Sequence, residues 1–227
     1  MIVQLQPEGL RLLKAVIFDL DGTLINSAIP FKKMKRLVIR YLEDAGVTHG
    51  LLNDEMLNSE ITSLAAEDLK ARGFPERYIK RVLSGVSDLM NRIEIESLDA
   101  ASLIDGVPEA LRLLKERGFR IGLLTSSCRE YAEKILRRFN IRGYFDAILA
   151  RDDVEYPKPN PTHALELLKL LNVSARDAIF IGDHLSDMEC AVKSGMKFIL
   201  FRRDNCAEDV DILKIRDIRG VLKFLCE

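Results

Sequence analysis

Short runs rich in β-branched and large apolar residues recur at Ala15–Phe18, Ile121–Leu124, Ala147–Leu149, Ala178–Ile181 and Phe198–Phe201. Between them the apolar spacing changes to that of helices, and a chain alternating these two periods builds a parallel sheet covered by helices. Ala110, Leu111, Leu113 and Leu114 form one helical stripe that stops at Gly118, and a second helix from about Leu185 to Ser194 stops at Gly195, because glycine accepts the backbone twist that ends a helix. Further helices are expected over 129–139 and 161–171, the latter with Pro161 in its first turn.

The interval 26–104 breaks the alternation. It offers no convincing strand and instead carries helical stripes, Phe31, Met34, Val38, Tyr41 and Ala45, then Tyr78, Val82, Val86, Leu89 and Ile93. The turn-forming stretch Asp105-Gly106-Val107-Pro108 marks the return. The expected organisation is therefore an α/β core made of 1–25 and 105–227, with an all-helical insert at 26–104. On the first insert helix, Lys32, Lys33, Arg36 and Arg40 lie opposite the apolar stripe, as a solvated basic face or as an attraction for an anionic group.

Composition narrows the function. The 227 residues carry 34 Lys and Arg against 35 Asp and Glu, interleaved along the chain, so a nucleic-acid partner is not expected. The start of the chain lacks the apolar centre of a signal peptide, and no apolar run approaches the roughly 18 residues of a membrane span, so no membrane partner and a cytoplasmic location are expected. Cys128, Cys190, Cys206 and Cys226 are scattered and read as reduced, and His49, His163 and His184 have no metal-ligand spacing.

Polar residues follow the expected strands: Asp19 and Asp21 the first, Thr125 and Ser126 the second, Lys158 beyond the third, Asp183 and Asp187 the fourth. In an open parallel sheet the carboxyl ends of the strands share one edge, where ligands bind, so these residues converge. Gathered acids with one lysine call for a cation, and an all-oxygen ligand set suits Mg²⁺. Thr125 and Lys158 offer a hydroxyl and a positive charge to a phosphate, and the Gly22-Thr23 turn is expected to turn backbone N–H groups toward it. The cluster reads as a site for phosphoryl transfer.

Asp19-Leu20-Asp21-Gly22-Thr23-Leu24 resembles the DxDGT motif of the haloacid dehalogenase-like hydrolases. Leu123-Leu124-Thr125, Lys158-Pro159-Asn160-Pro161 and Gly182-Asp183-His184-Leu185-Ser186-Asp187 are similar to that family's other three motifs, in the same order, and the insert sits where members with a C1-type cap carry theirs. The resemblance implies a Rossmann-like core and a phosphatase similar to phosphoglycolate phosphatase. It implies that Asp19 attacks phosphorus to form an aspartyl phosphate, and that Asp21 acts as general acid and then base. It also implies that Asp19, the Asp21 carbonyl and Asp183 hold Mg²⁺ with Asp187 completing or orienting the shell, that Thr125 binds the phosphoryl group, and that Lys158 neutralises it and restrains Asp19. Gly22, Thr23 and Ser126 complete the expected phosphate-binding set, although Ser126 and Ser127 are equally suited to capping the next helix. Asn26 before Ser27, and His184 where a small residue is usual, depart from the family pattern and bear on substrate. The implied partner is a small phosphorylated metabolite. A sugar-phosphate mutase of the same family and a non-catalytic regulatory binding module stay open beside the phosphatase, as does the oligomeric state.

Overall fold

The computed structural model describes residues 13–202 and 213–225. Cys206, Cys226 and the N-terminal stretch to residue 12 lie outside the described residues. The chain divides into two compact units, one taking in residues up to Ser27 and from Ala101 onward, the other Ala28–Ala100.

The first unit is built on a sheet of β1 (Ala15–Phe18), β4 (Arg120–Leu124), β5 (Ala147–Leu149), β6 (Ala178–Gly182), β7 (Lys197–Phe201) and β8 (Lys214–Ile215). Its order is β5-β4-β1-β6-β7-β8, with every neighbouring pair parallel. The chain runs outward from β1 through β4 and β5, then returns to the other flank of β1 as β6, so the direction of winding reverses at β1. In open parallel sheets ligands bind at the carboxyl edge beside such a reversal. Phe18 lies level with both Leu123 and Ile181, which brings the three strand ends to the same height.

All four residues of β1 are fully buried, as a central parallel strand requires. On one face Ala15 and Ile17 join Phe180, Leu167, Leu171 and Ala191 of α6 (Pro161–Leu171), α7 (Leu185–Ser194) and β6 in a single apolar cluster. Val16 and Phe18 are buried on the other face, and α4 (Val107–Glu116) packs against β4. α5 (Arg129–Arg138) follows β4, and α8 (Val221–Phe224) is the last described element.

The expected strands and core helices occur as read, within a residue at their ends. One expectation is overturned: the interval from Asn26 to Ile104 is not free of strand. β2 (Ile25–Asn26) pairs antiparallel with β3 (Ser102–Leu103), and Asn26 Nδ2 donates to Ser102 Oγ at 3.1 Å. Two-residue strands are too short to produce a periodicity, and only their pairing defines them. β8 escapes the sequence for the same reason.

The helical unit contains α1 (Phe31–Asp44), α2 (Asn58–Ala71) and α3 (Glu76–Glu96). Its core uses Met34, Val38 and Leu42, then Ile61, Ala65 and Leu69, then Ile79, Val82, Val86 and Met90. The buried stripes are thus rotated by about one residue from the expected ones, leaving Phe31 44% and Tyr41 37% exposed. Two residues of the basic face of α1 have acidic neighbours, Arg36 Nε pairing with Asp54 at 2.7 Å and Lys32 lying 3.5 Å from Glu55, and beside them Lys35 Nζ donates to the Asp54 carbonyl at 3.1 Å. No described helix is long and apolar enough to cross a membrane.

Candidate active site

The site begins where β1 ends. Asp19 N donates to the Ile181 carbonyl at 2.9 Å, which extends the ladder to β6 by one residue and fixes the start of the following turn. Gly22 adopts φ +88°, a conformation costly for any side chain, and a Cβ there would fall 2.1 Å from Asp183 Oδ2. Glycine is required both by the turn and by the carboxylate pressed against it.

The turn does not offer its N–H groups to a ligand as the sequence leads one to expect. Gly22 N donates to the Ile25 carbonyl at 2.8 Å and Thr23 N to the Leu20 carbonyl at 3.4 Å, because the reversal into β2 consumes them. Thr23 is fully buried, and its hydroxyl donates to Asp183 Oδ1 at 3.3 Å. Gly22 and Thr23 thus shape the position of Asp183, and the expectation of a phosphate cradle here is corrected.

At the end of β4, Thr125 N donates to the Leu149 carbonyl at 3.1 Å, while Thr125 Oγ1 accepts from Ser127 N at 3.0 Å. A hydroxyl used as acceptor by the backbone keeps its own proton to donate. Ser126 is exposed, and among the described residues no hydrogen bond engages its hydroxyl. Ser127 does not cap α5, whose N-cap is Cys128; its Oγ donates instead to Asp21 Oδ2 at 2.6 Å.

Lys158 arrives from the loop after β5. α6 starts at Pro161 with Asn160 as its cap, Asn160 Oδ1 accepting from Thr162 N at 2.9 Å. His163 Nδ1 in turn accepts from Lys158 N at 3.1 Å, which anchors the loop to the helix. In the sequence His163 is one of three dispersed histidines, and only the fold reveals this role. Burial, and secondarily the Lys158 charge, push the His163 imidazole down to about 3, so it stays neutral.

The buried Lys158 ammonium donates to Asp19 Oδ1 at 2.6 Å, Asp187 Oδ1 at 2.7 Å and the Leu124 carbonyl at 2.9 Å. Its three protons are therefore directed at protein acceptors. Asp187 also closes a reciprocal cap at the start of α7: its Oδ2 accepts from His184 N at 3.1 Å, and His184 Nδ1 accepts from Ser186 N at 3.2 Å. One Asp187 carboxylate thus serves both as a helix cap and as a member of the acidic group. His184 itself is an exposed cap residue.

Oxygens of Asp19, Asp183 and Asp187 all lie within 4.8 Å of one another. Burial drives the Asp19 carboxyl well above its ordinary range; Lys158 pulls it down, but the neighbouring acids add to the rise. Asp183 is pushed up to about 6, first by burial and then by the Asp187 charge. Burial works against the Lys158 ammonium, yet the Asp187 and Asp19 carboxylates outweigh it and hold the proton on. One ammonium thus faces more negative charge than it can balance. An all-oxygen set crowded in this way fits a hard divalent cation such as Mg²⁺, which relieves the repulsion that otherwise favours protonation. The Asp21 carboxylate lies outside this trio, turned toward Ser127 and Tyr131, so its place as a ligand would run through its backbone carbonyl.

The chain is similar along most of its length to proteins named as phosphatases. It is 27% identical over 191 residues to phosphoglycolate phosphatase of Aquifex aeolicus, covering 83% of this chain and 84% of the relative. It is 28% identical over 232 residues to N-acetylmuramic acid 6-phosphate phosphatase of Pseudomonas aeruginosa, covering 95% and 97%. Among solved structures, a HAD-superfamily hydrolase from Ehrlichia chaffeensis aligns with a TM-score of 0.59 at 26% identity, covering 94% of this chain and 96% of that one. Residues 16–201, which run from β1 to the end of β7, match the family model described as haloacid dehalogenase-like hydrolase. With most of the chain matched in this way, the protein belongs to the haloacid dehalogenase-like hydrolase family.

Proposed function

We propose that the protein is a Mg²⁺-dependent phosphatase that hydrolyses small phosphate monoesters through a phosphorylated Asp19. The observation that carries this reading is the buried Lys158 ammonium shared between Asp19 and Asp187, beside Asp183, at the carboxyl edge of the sheet. The names of the relatives, which differ in substrate but agree in removing a phosphate, support it.

In this reading Asp19 forms a bond to phosphorus as the bond from phosphorus to the leaving oxygen breaks, and Asp21 gives that oxygen its proton. Asp21 then takes a proton from water, the water oxygen attacks phosphorus, and Asp19 is released with inorganic phosphate. Thr125 donates its hydroxyl proton to the phosphoryl group. Lys158 acts by holding Asp19 in place and lending charge through it, since its N–H groups are already engaged. Asp19, Asp183 and the Asp21 carbonyl, oriented by Asp187, would hold Mg²⁺, which when bound supplies charge neutralisation for the phosphoryl oxygens. Because the transition state of phosphoryl transfer is loose, positioning and charge matching supply most of the rate.

The residues Ala28–Ala100 serve in this reading as the cap and the remainder as the catalytic core. Cytoplasmic residence belongs to the same reading and is supported by Cys128 and Cys190, buried cysteines held in no disulfide and so suited to a reducing compartment.

The test is phosphate release from a panel of phosphorylated metabolites by the purified protein with Mg²⁺. Asp19→Asn should lower turnover by several orders of magnitude while leaving the fold intact, since the amide is nearly isosteric but a poor nucleophile. Retention of more than about a tenth of the activity would remove Asp19 from the reaction. Conversion of a hexose 1-phosphate to its 6-phosphate without release of phosphate would replace hydrolysis by a mutase reaction.

A further inference from the structure

We propose that Ser127 and Tyr131 are positioning residues that clamp the Asp21 carboxylate in its working orientation through both of its oxygens. The inference rests on the reading of Asp21 as the proton-transferring acid and base. Ser127 Oγ donates to Asp21 Oδ2 at 2.6 Å, and Tyr131 OH donates to Asp21 Oδ1 at 3.3 Å. The two donors lie 106 and 110 positions from Asp21 in sequence, so no local turn chemistry accounts for the contacts.

Ser127 is 3% exposed and its backbone is pinned on both sides. Its N–H donates to Thr125 Oγ1 at 3.0 Å, and its carbonyl accepts from Arg151 N at 3.1 Å. Arg151 Nη1 also holds the Ser126 carbonyl at 2.8 Å. With the main chain held, the hydroxyl has little freedom except rotation about its own side chain. Tyr131, in the first turn of α5, is fully buried, and a buried phenol keeps its hydroxyl only where a partner meets it.

A carboxylate has two soft rotations, and a proton transfer works only over a narrow range of direction and distance. One donor fixes a single oxygen and leaves the group free to turn about it; two donors on opposite oxygens fix the plane. Ser127 supplies one point from the pinned turn just before α5, and Tyr131 the other from the first turn of the helix. The same arrangement accounts for the absence of the Asp21 carboxylate from the acidic trio around Lys158. The clamp holds the carboxylate apart from the acids of the metal site.

The experiment compares Ser127→Ala, Tyr131→Phe and Asp21→Asn, alone and in pairs, on two substrates. One is an alkyl phosphate, whose leaving oxygen needs a proton; the other is p-nitrophenyl phosphate, whose leaving group departs without one. The expected result is a fall in kcat for the alkyl ester of about tenfold in Ser127→Ala and roughly threefold in Tyr131→Phe, with KM nearly unchanged and a smaller loss on the aryl ester. In the Asp21→Asn background neither substitution should cost anything further on the alkyl ester, because each acts through Asp21. A loss in Ser127→Ala that is equal on both substrates, that falls on KM, or that persists in full beside Asp21→Asn would overturn the clamp and make Ser127 a direct substrate contact or a packing residue. Wild-type kcat on the alkyl ester in both single variants would overturn it as well. Tyr131→Phe removes only an oxygen from a buried ring, so it remains informative even where Ser127→Ala unfolds. Failure of Asp21→Asn to discriminate between the substrates would defeat the acid and base reading itself, whereas discrimination by Asp21→Asn alone would defeat only the clamp.

Discussion

The ammonium of Lys158 donates to Asp19 Oδ1 at 2.6 Å across 139 positions of sequence, and the same nitrogen reaches Asp187 at 2.7 Å. Both carboxylates and the lysine are buried, so this contact holds together two acids that would otherwise repel each other in a poorly solvated space.

Replacing Lys158 by methionine keeps most of the volume and removes the charge. Leaving buried carboxylates without their partner costs about 3–5 kcal/mol, so the urea midpoint of Lys158→Met in chelator should fall well below that of the wild type. Added Mg²⁺ should restore part of the difference, and phosphatase activity should fall by at least about a hundredfold. Equal urea midpoints in chelator would show that the pair carries no structural weight.

Gly22→Ala tests the contact between the turn and Asp183. The added Cβ combines an unfavourable backbone conformation with a position 2.1 Å from Asp183 Oδ2, so Asp183 must move. The concentration of Mg²⁺ giving half-maximal activity should rise by about tenfold, as for loss of a well-placed metal ligand or its support. A metal titration that superimposes on the wild-type curve would exclude a role for this contact.

Binding of Mg²⁺ to the folded chain alone should raise the melting temperature in the absence of substrate. The rise should vanish in Asp183→Asn, and excess chelator should abolish activity. Mn²⁺ or Co²⁺ should replace Mg²⁺, whereas Ca²⁺, which takes more ligands at longer distances, should inhibit. Differential scanning calorimetry with each ion, paired with phosphate release, checks both parts.

His163 makes the fold sensitive to acid. Its imidazole titrates at about 3 in the folded chain, against an ordinary value of 6.5, because burial and then the Lys158 charge disfavour the cation. Between these values the unfolded chain binds the extra proton and the folded chain does not, so stability is complete above about pH 6.5 and drains away as the pH falls toward 3. The slope for one such proton is about 1.4 kcal/mol per pH unit. Wild type and His163→Gln, compared by urea denaturation from pH 7 to pH 4, should therefore converge as the pH falls. Parallel curves would show that His163 does not titrate in this way.

The α/β alternation, the span of α6 and α7, and the nature of the acidic cluster were legible in the chain itself. They depend on local causes: apolar runs long enough to show a period, Pro161 and Gly195 at helix ends, and motifs whose residue types already imply oxygen ligands and phosphate chemistry. The meeting of Asp19, Lys158, Asp183 and Asp187 was also accessible, because parallel strands place their carboxyl ends on one edge whatever the length of chain between them.

Tertiary structure decided where individual polar atoms point. Gly22 and Thr23 read as a phosphate cradle until the pairing of β2 with β3 shows how the turn closes and consumes their N–H groups. Ser127 reads as a cap until its hydroxyl is seen on Asp21, and Tyr41 reads as core until Leu42 takes the buried place. His163 carries no sequence signal at all for its bond to Lys158 N. The division has a physical cause. A period or a motif is set by residues close in the chain, whereas a hydrogen bond is decided within a few tenths of an ångström by elements from distant parts of it. Residue types and strand order determine which groups meet, and the packing of β1, β4, β6 and α5 determines which atom of each group faces which partner.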